Sequence, residues 1–210
     1  MHIRRAPARL VVVLAALLAA SLTAAAPEVI PIYDPDPKQE PGARLDGETW
    51  IRESATAALA LTRIDDATRT GFIRRRSGLE YDPFASAPGR ADHFVTFHVL
   101  IENRGETRLV FQPQACRMET SYRDSEGPID YPTIVTAFAM GDRPAPPDLE
   151  RIRSAILDGE VVLLAGEKRD GLLVYRTLDP HAKRYHVDLG ATLTSGEAFG
   201  LTAHFKKRKS

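Results

Sequence analysis

The chain predicts an all-β fold, an antiparallel two-sheet sandwich of seven to eight strands with one short helix. Three observations carry this. Apolar residues recur at every second position through most of residues 50–206. Gly-, Asn- and Asp-containing turn signals separate the alternating runs. No regular strand–helix alternation is present, which argues against a doubly wound α/β fold.

Residues 1–25 read as a secretory signal peptide. Arg4, Arg5 and Arg9 give a positive start, and 10–22 is an apolar run broken only by Ser21. Thr23 and Ala25 are the small residues that place cleavage after 25. The run is short for a bilayer span, which needs about 20 residues, so an uncleaved membrane anchor is the alternative and not the expectation. Residues 26–48 hold Pro27, Pro31, Pro35, Pro37 and Pro41 and read as an extended linker.

The sandwich is expected over 49–206. Leu59 and Leu61 alternate with Ala58, Ala60 and Thr62. Val95, Phe97, Val99 and Ile101 share one face, ending in the turn Glu102-Asn103-Arg104-Gly105. Leu109 and Phe111 follow, then Cys116 and Met118, then the turn Asp124-Ser125-Glu126-Gly127. Residues 160–165 and 172–175 are short apolar strands around a Gly166-Glu167 loop. Tyr185, Val187 and Leu189 form one late run, and Phe199, Leu201, Ala203 and Phe205 the last. Pro146-Pro147-Asp148 starts the single helix, with Leu149, Ile152 and Ile156 on one face and Gly159 as its stop. Residues 65–92 and 124–148 are left as long loops, and 207–210 as a basic tail.

Twenty-eight basic and 28 acidic residues balance in the whole chain. Loss of residues 1–25, with three Arg and no acid, leaves a net charge of −3. That excludes a polybasic nucleic-acid binder. One Cys excludes a disulfide framework and a thiolate-rich zinc site. No G-x-S-x-G, H-E-x-x-H or phosphate-loop spacing occurs, so no catalytic residue is assigned and no cofactor is expected.

Candidate binding residues lie in the long loops. Arg74, Arg75 and Arg76 form a cluster able to meet phosphate or carboxylate. Tyr81, Phe84, Tyr131 and Phe138 are possible aromatic anchors. A metal site is the alternative reading of Cys116 and Met118, a soft pair sharing a strand face, and of His186 and His204. Parity predicts that imidazole pair. If 185, 187 and 189 face the core with 201, 203 and 205, a three-residue loop at 194–196 sets His186 opposite His204 on the outer face. His93, His98 and His181 have no such partner in the pattern.

Three segments resemble a known family: 93–105, containing Asn103-Arg104-Gly105; 109–111 with the following strand and the Glu126-Gly127 turn; and 163–175, containing Gly166-Glu167 and Gly171. Together they resemble the bacterial extracellular immunoglobulin-like domains of the DUF4352 type, related in fold to the mycobacterial secreted antigen MPT63. Ala165 stands where that family has Pro, and Tyr175 where it has Phe. The proteinase-inhibitor domain of the BsuPI type is a second resemblance. The implied architecture is an immunoglobulin-like sandwich, and no catalytic residue carries over. The expected role is therefore an exported binding or accessory module at the cell envelope. Its partner would be another envelope protein or a cell-surface component, with no nucleic acid and no membrane span after cleavage. A periplasmic copper carrier and a secreted protease inhibitor are the alternatives.

Overall fold

Alternation resolves into two antiparallel sheets, as expected for the sandwich. A computed structural model describes residues 32–36, 42–85, 94–140, 144–177, 181–193 and 196–208, the side chains of 192 and 193 excepted. These all belong to one unit spanning 31–210. The signal segment and His93 lie outside the described residues.

The first sheet contains β1 (Tyr33–Pro35), β6 (Leu109–Phe111), β7 (Arg117–Thr120), β8 (Ser125–Glu126), β9 (Val161–Leu163), β11 (Arg184–Leu193) and β12 (Ala198–Lys207). Its order is β1-β12-β11-β6-β9, with β7 also on β11 and β8 on β7. The second sheet runs β10 (Lys168–Arg176), β5 (Phe94–Asn103), β4 (Ala57–Ile64), β3 (Thr49–Glu53) and β2 (Ala43–Asp46). Strands β6 and β7 share one edge of β11, separated by a 3₁₀ turn at Pro113–Ala115. Proline's missing N–H explains that interruption.

Twelve strands are present among the described residues, more than the seven to eight expected. Two of the additional strands come from the stretch read as a linker. Edge positions accept its prolines: Pro35 ends β1, which pairs only with β12. Gly47, at φ 60°, turns β2 into β3. The basic tail is also held in part, because Lys207 closes β12 and Arg208 donates through Nε to Asp34 at 2.9 Å.

Side chains from both sheets meet in one interior that includes Trp50, Phe97, Phe111, Tyr175, Tyr185 and Phe205. The Phe97 and Phe205 rings bridge the sheets at 5.5 Å, and Tyr185 stacks on Phe205 at 4.8 Å. Strand β10 is apolar on both faces. Leu173 and Tyr175 point into this interior, whereas Leu172 and Val174 join a second cluster beneath the helices.

Those helices correct the sequence reading of two loops. The stretch 65–92 contains α1 (Asp66–Ser77), and 124–148 contains α2 (Tyr131–Met140). Asp65 caps α1 by accepting from the Thr68 N–H at 2.8 Å, and Gly78 closes it at φ 66°. Asp130 accepts from Thr133 N–H at 2.9 Å at the start of α2. The expected helix near 149–156 is a shorter 3₁₀ turn, Leu149–Ser154. Its continuation gives up helical bonds for the free edge of β10: Leu157 N–H donates to Leu172 O, and Leu172 N–H to Ala155 O, both at 2.9 Å.

Candidate functional site: a cleft beside the uncharged helix α2

The cleft lies where α2 crosses the end of β10. Ile129 N–H donates to Val174 O at 2.7 Å, which anchors the chain on the β10 edge just before the helix. Ile134 then packs into the second apolar cluster. The opposing wall is Phe84, held by a buried clamp. Arg69 on α1 is 1% exposed. It donates through Nε to Asp82 at 2.8 Å, through Nη1 to Asp66 at 2.8 Å and through Nη2 to the Phe84 carbonyl at 3.2 Å. Asp82 in turn accepts from Phe84 N–H at 2.9 Å. A buried cation is tolerated here because its fork of donors is met.

Between these walls is a cleft of about 460 Å³, lined by Phe84, Phe94, Ile134, Phe138 and the aliphatic neighbours of α2, with Arg176 and Thr177 at its rim. Its volume is in the range of small-molecule and side-chain pockets. Arg176 is the one ionisable side chain among the described lining residues. It is exposed, and its side chain forms no hydrogen bond or ion pair with the described residues.

The expected loop residues reach this region unequally. Phe84 is 2% exposed and belongs to the second core cluster, so it is a wall and not a projecting anchor. Tyr81 is half-buried and donates to Asp148 at 3.2 Å; burial first, then the Asp148 charge, pushes its hydroxyl up to about 12. Tyr131 is half-buried, with the Arg153 guanidinium 4.3 Å from its ring centroid. Phe138 lines the cleft.

The Arg cluster does not converge. Successive helical residues point about 100° apart. Arg74 reaches Glu80 at 3.4 Å, Arg75 is exposed, and Arg76 crosses to Asp170 at 2.6 Å. Asp170 also holds His98 Nε2 at 3.0 Å. These contacts fasten α1 to the second sheet instead of forming one anion site.

The soft-metal set is divided as well. Cys116 and Met118 are both fully buried in the inter-sheet core. Burial pushes the Cys116 thiol up to about 11, far from a thiolate at neutral pH. His186 and His204 are opposite each other, in the register that parity required, but on the outer face of the first sheet. Sulfur and imidazole therefore lie on opposite faces.

The motif residues of the family resemblance are architectural. Asn103 is fully buried, and its side-chain amide donates to Thr107 O at 2.8 Å and Leu163 O at 3.0 Å. Its carbonyl accepts from Gly105 N–H at 3.1 Å. Its backbone exchanges bonds with Glu167 and Gly166, each at 2.9 Å. The Asn-x-Gly and Gly-Glu signals are thus two halves of one latch between β5 and β9. Gly171 is required by close approach, since an added Cβ would stand 2.9 Å from Leu157.

What sequence reading missed was α2 as a wall. The Asp130 cap and Pro132 in the first turn were available signals. The run Thr133-Ile134-Val135-Thr136, being β-branched, obscured them.

No family model matches the chain, and no curated protein matches it. Solved structures resemble it. The yjhA protein from Bacillus subtilis is 13% identical, covering 71% of this chain and 93% of its own, at a TM-score of 0.40. A Bordetella pertussis protein carrying the name ApaA is 10% identical, covering 72% and 92%, at a TM-score of 0.37.

Proposed function

We propose that the chain is an exported, non-enzymatic binding module of the bacterial cell envelope, and that it docks another envelope protein through α2 and its cleft. One observation carries this reading. Helix α2, Tyr-Pro-Thr-Ile-Val-Thr-Ala-Phe-Ala-Met, has no charged residue, yet only Ile134 in it is buried. Ala137 and Ala139 are exposed, and Met140 is 81% exposed. A helix apolar on all sides ordinarily sits inside a core, and a surface patch of this kind marks an interaction site.

Arg176 adds a positive charge at the rim that has no ion-pair partner among the described residues. The partner we infer therefore offers an apolar side chain for the cleft and a carboxylate for the guanidinium. Export rests on the basic, apolar and small-residue layout of 1–25, and the family resemblance agrees with an extracellular sandwich. Among its described lining residues the cleft holds no acid–base pair of the kind catalysis uses. Among the described residues no helix is long and apolar enough to cross a membrane.

A photoreactive residue at Ala137, installed in the exporting host, tests the reading. The expected result is one discrete protein adduct that is lost in Arg176→Glu and absent when the probe sits at Thr202 on the other sheet. Equal labelling from both positions, no adduct, or an adduct indifferent to Arg176→Glu overturns it.

A further inference from the structure

The outer face of the first sheet carries a second arrangement. Strand pairing places His204 opposite His186, and Glu119 opposite His186 on its other side. One row across three strands therefore reads Glu119, His186, His204. Asp188 lies two residues along β11, on the same face.

The donor spacings around His186 are near those found around a single ion. His186 Nε2 is 3.3 Å from Asp188 Oδ2 and 3.7 Å from Glu119 Oε2. The two imidazole centroids are 5.6 Å apart. Zinc binds nitrogen and oxygen at about 2.0–2.2 Å, so tetrahedral donors stand roughly 3.4 Å apart and two coordinated imidazole centroids about 5 Å apart. Each carboxylate is also oriented through its other oxygen. The Thr202 hydroxyl donates to Asp188 Oδ1 at 2.7 Å, and the Ser125 hydroxyl to Glu119 Oε1 at 3.4 Å. Such outer support is what holds ligating carboxylates in place.

Neighbouring cations are directed elsewhere. Arg117, opposite Asp188, donates to the Cys116 carbonyl at 2.8 Å, and Arg184 reaches Asp36 at 3.8 Å. Among the described residues no three such groups already enclose one point, so an ion must draw Glu119 or His204 inward by side-chain rotation. Both lie on the half-open outer face, where rotation meets no core packing.

We propose that His186 and His204, with Asp188 or Glu119 as third donor, bind one divalent copper or zinc ion. Mixed imidazole and carboxylate donors favour these ions over calcium or magnesium. The site is on the sheet opposite the cleft and does not depend on the binding role proposed for α2.

Calorimetric titration of the untagged chain with Cu²⁺ and with Zn²⁺ is the test, joined to electron paramagnetic resonance of the copper form. The expected result is one ion per chain at low-micromolar Kd, with two nitrogen ligands in the copper spectrum. His186→Asn and His204→Asn should each weaken binding by at least about tenfold. Asp188→Asn and Glu119→Gln identify the third donor by which one weakens binding. No saturable binding below about 100 μM overturns the proposal, as does undiminished affinity in the double His variant. Unchanged circular dichroism of each variant separates loss of the site from loss of the fold.

Discussion

Removing the side-chain amide of Asn103 takes a donor from the carbonyls of Thr107 and Leu163 and an acceptor from the N–H of Gly105, which keeps its bond to Thr56 O. Solvent reaches the exposed Thr107 but not the Leu163 carbonyl, whose bond to the fully buried Asn103 is itself buried. Each unmet buried group costs about 1–3 kcal/mol, part of which local relaxation recovers. Asn103→Ala is therefore expected to lower unfolding free energy by about 1–3 kcal/mol. Asn103→Asp should do no better, since a carboxylate offers no donor to the two carbonyls. Urea denaturation of both variants checks this, and a loss under about 1 kcal/mol in either would mean the latch is not structural. The outcome bears on the family resemblance too. Asn103, Gly105, Gly166 and Glu167 were conspicuous in the sequence because the fold needs them where two sheets join, and they report nothing about a ligand.

At the scale of elements, the segment 155–157 shows how an edge is covered. It lies along β10 with a parallel bridge between Ile156 and Leu172, and Gly171 admits the Leu157 side chain. A Cβ at 171 would stand 2.9 Å from Leu157 Cγ and 3.3 Å from the Ala155 carbonyl. Gly171→Ala should destabilise by about 1–3 kcal/mol through this overpacking. Leu157→Ala destabilises alone by opening a cavity, but it also makes room for the new methyl. The double variant should accordingly be more stable than the sum of the two singles implies, by about 1 kcal/mol. Strict additivity in a double-mutant cycle would rule out the steric account. The same close packing distinguishes the 3₁₀ turn from the helix expected there. Apolar residues at Leu149, Ile152 and Ile156 satisfy a helical stripe, yet the β10 edge competes for the backbone groups after Ser154 and wins.

For the whole molecule, ionisation sets a window of stability. The carboxyls of Asp34, Glu53, Asp65, Glu102 and Asp130 lie below their ordinary values, held down first by hydrogen bonds from Arg208, Arg104, Thr68, Lys168 and Thr133 respectively. As acid is added the unfolded chain takes up these protons first, so stability present near neutrality is lost as pH falls below about 4. Burial acts in the opposite direction on Cys116, Tyr81, Tyr175 and Tyr185, raising all four above their ordinary 9.0 or 10.0. Here the unfolded chain loses protons first, and stability declines as pH rises beyond about 9. Urea midpoints should be nearly level from about pH 5 to 8 and fall on both sides. A midpoint still rising at pH 10 would contradict the buried state of these hydroxyls and the thiol.

What the sequence determined by itself was everything with a local period. Alternation identified seven to eight of the strands, and parity through one hairpin placed His186 against His204, because that register depends only on a short loop. Tertiary structure alone decided the rest. Pairing of β7 with β11, which brings Glu119 to His186, joins residues far apart in the chain and leaves no local trace. The linker strand β1 exists because the distant edge of β12 was free to accept it, whereas β2 folds back on β3 through the turn at Gly47. Helices α1 and α2 read poorly in sequence because one carries a buried Arg and the other is apolar on every side. Their positions follow from what covers the second face of β10, a demand that exists only once the sheets have formed.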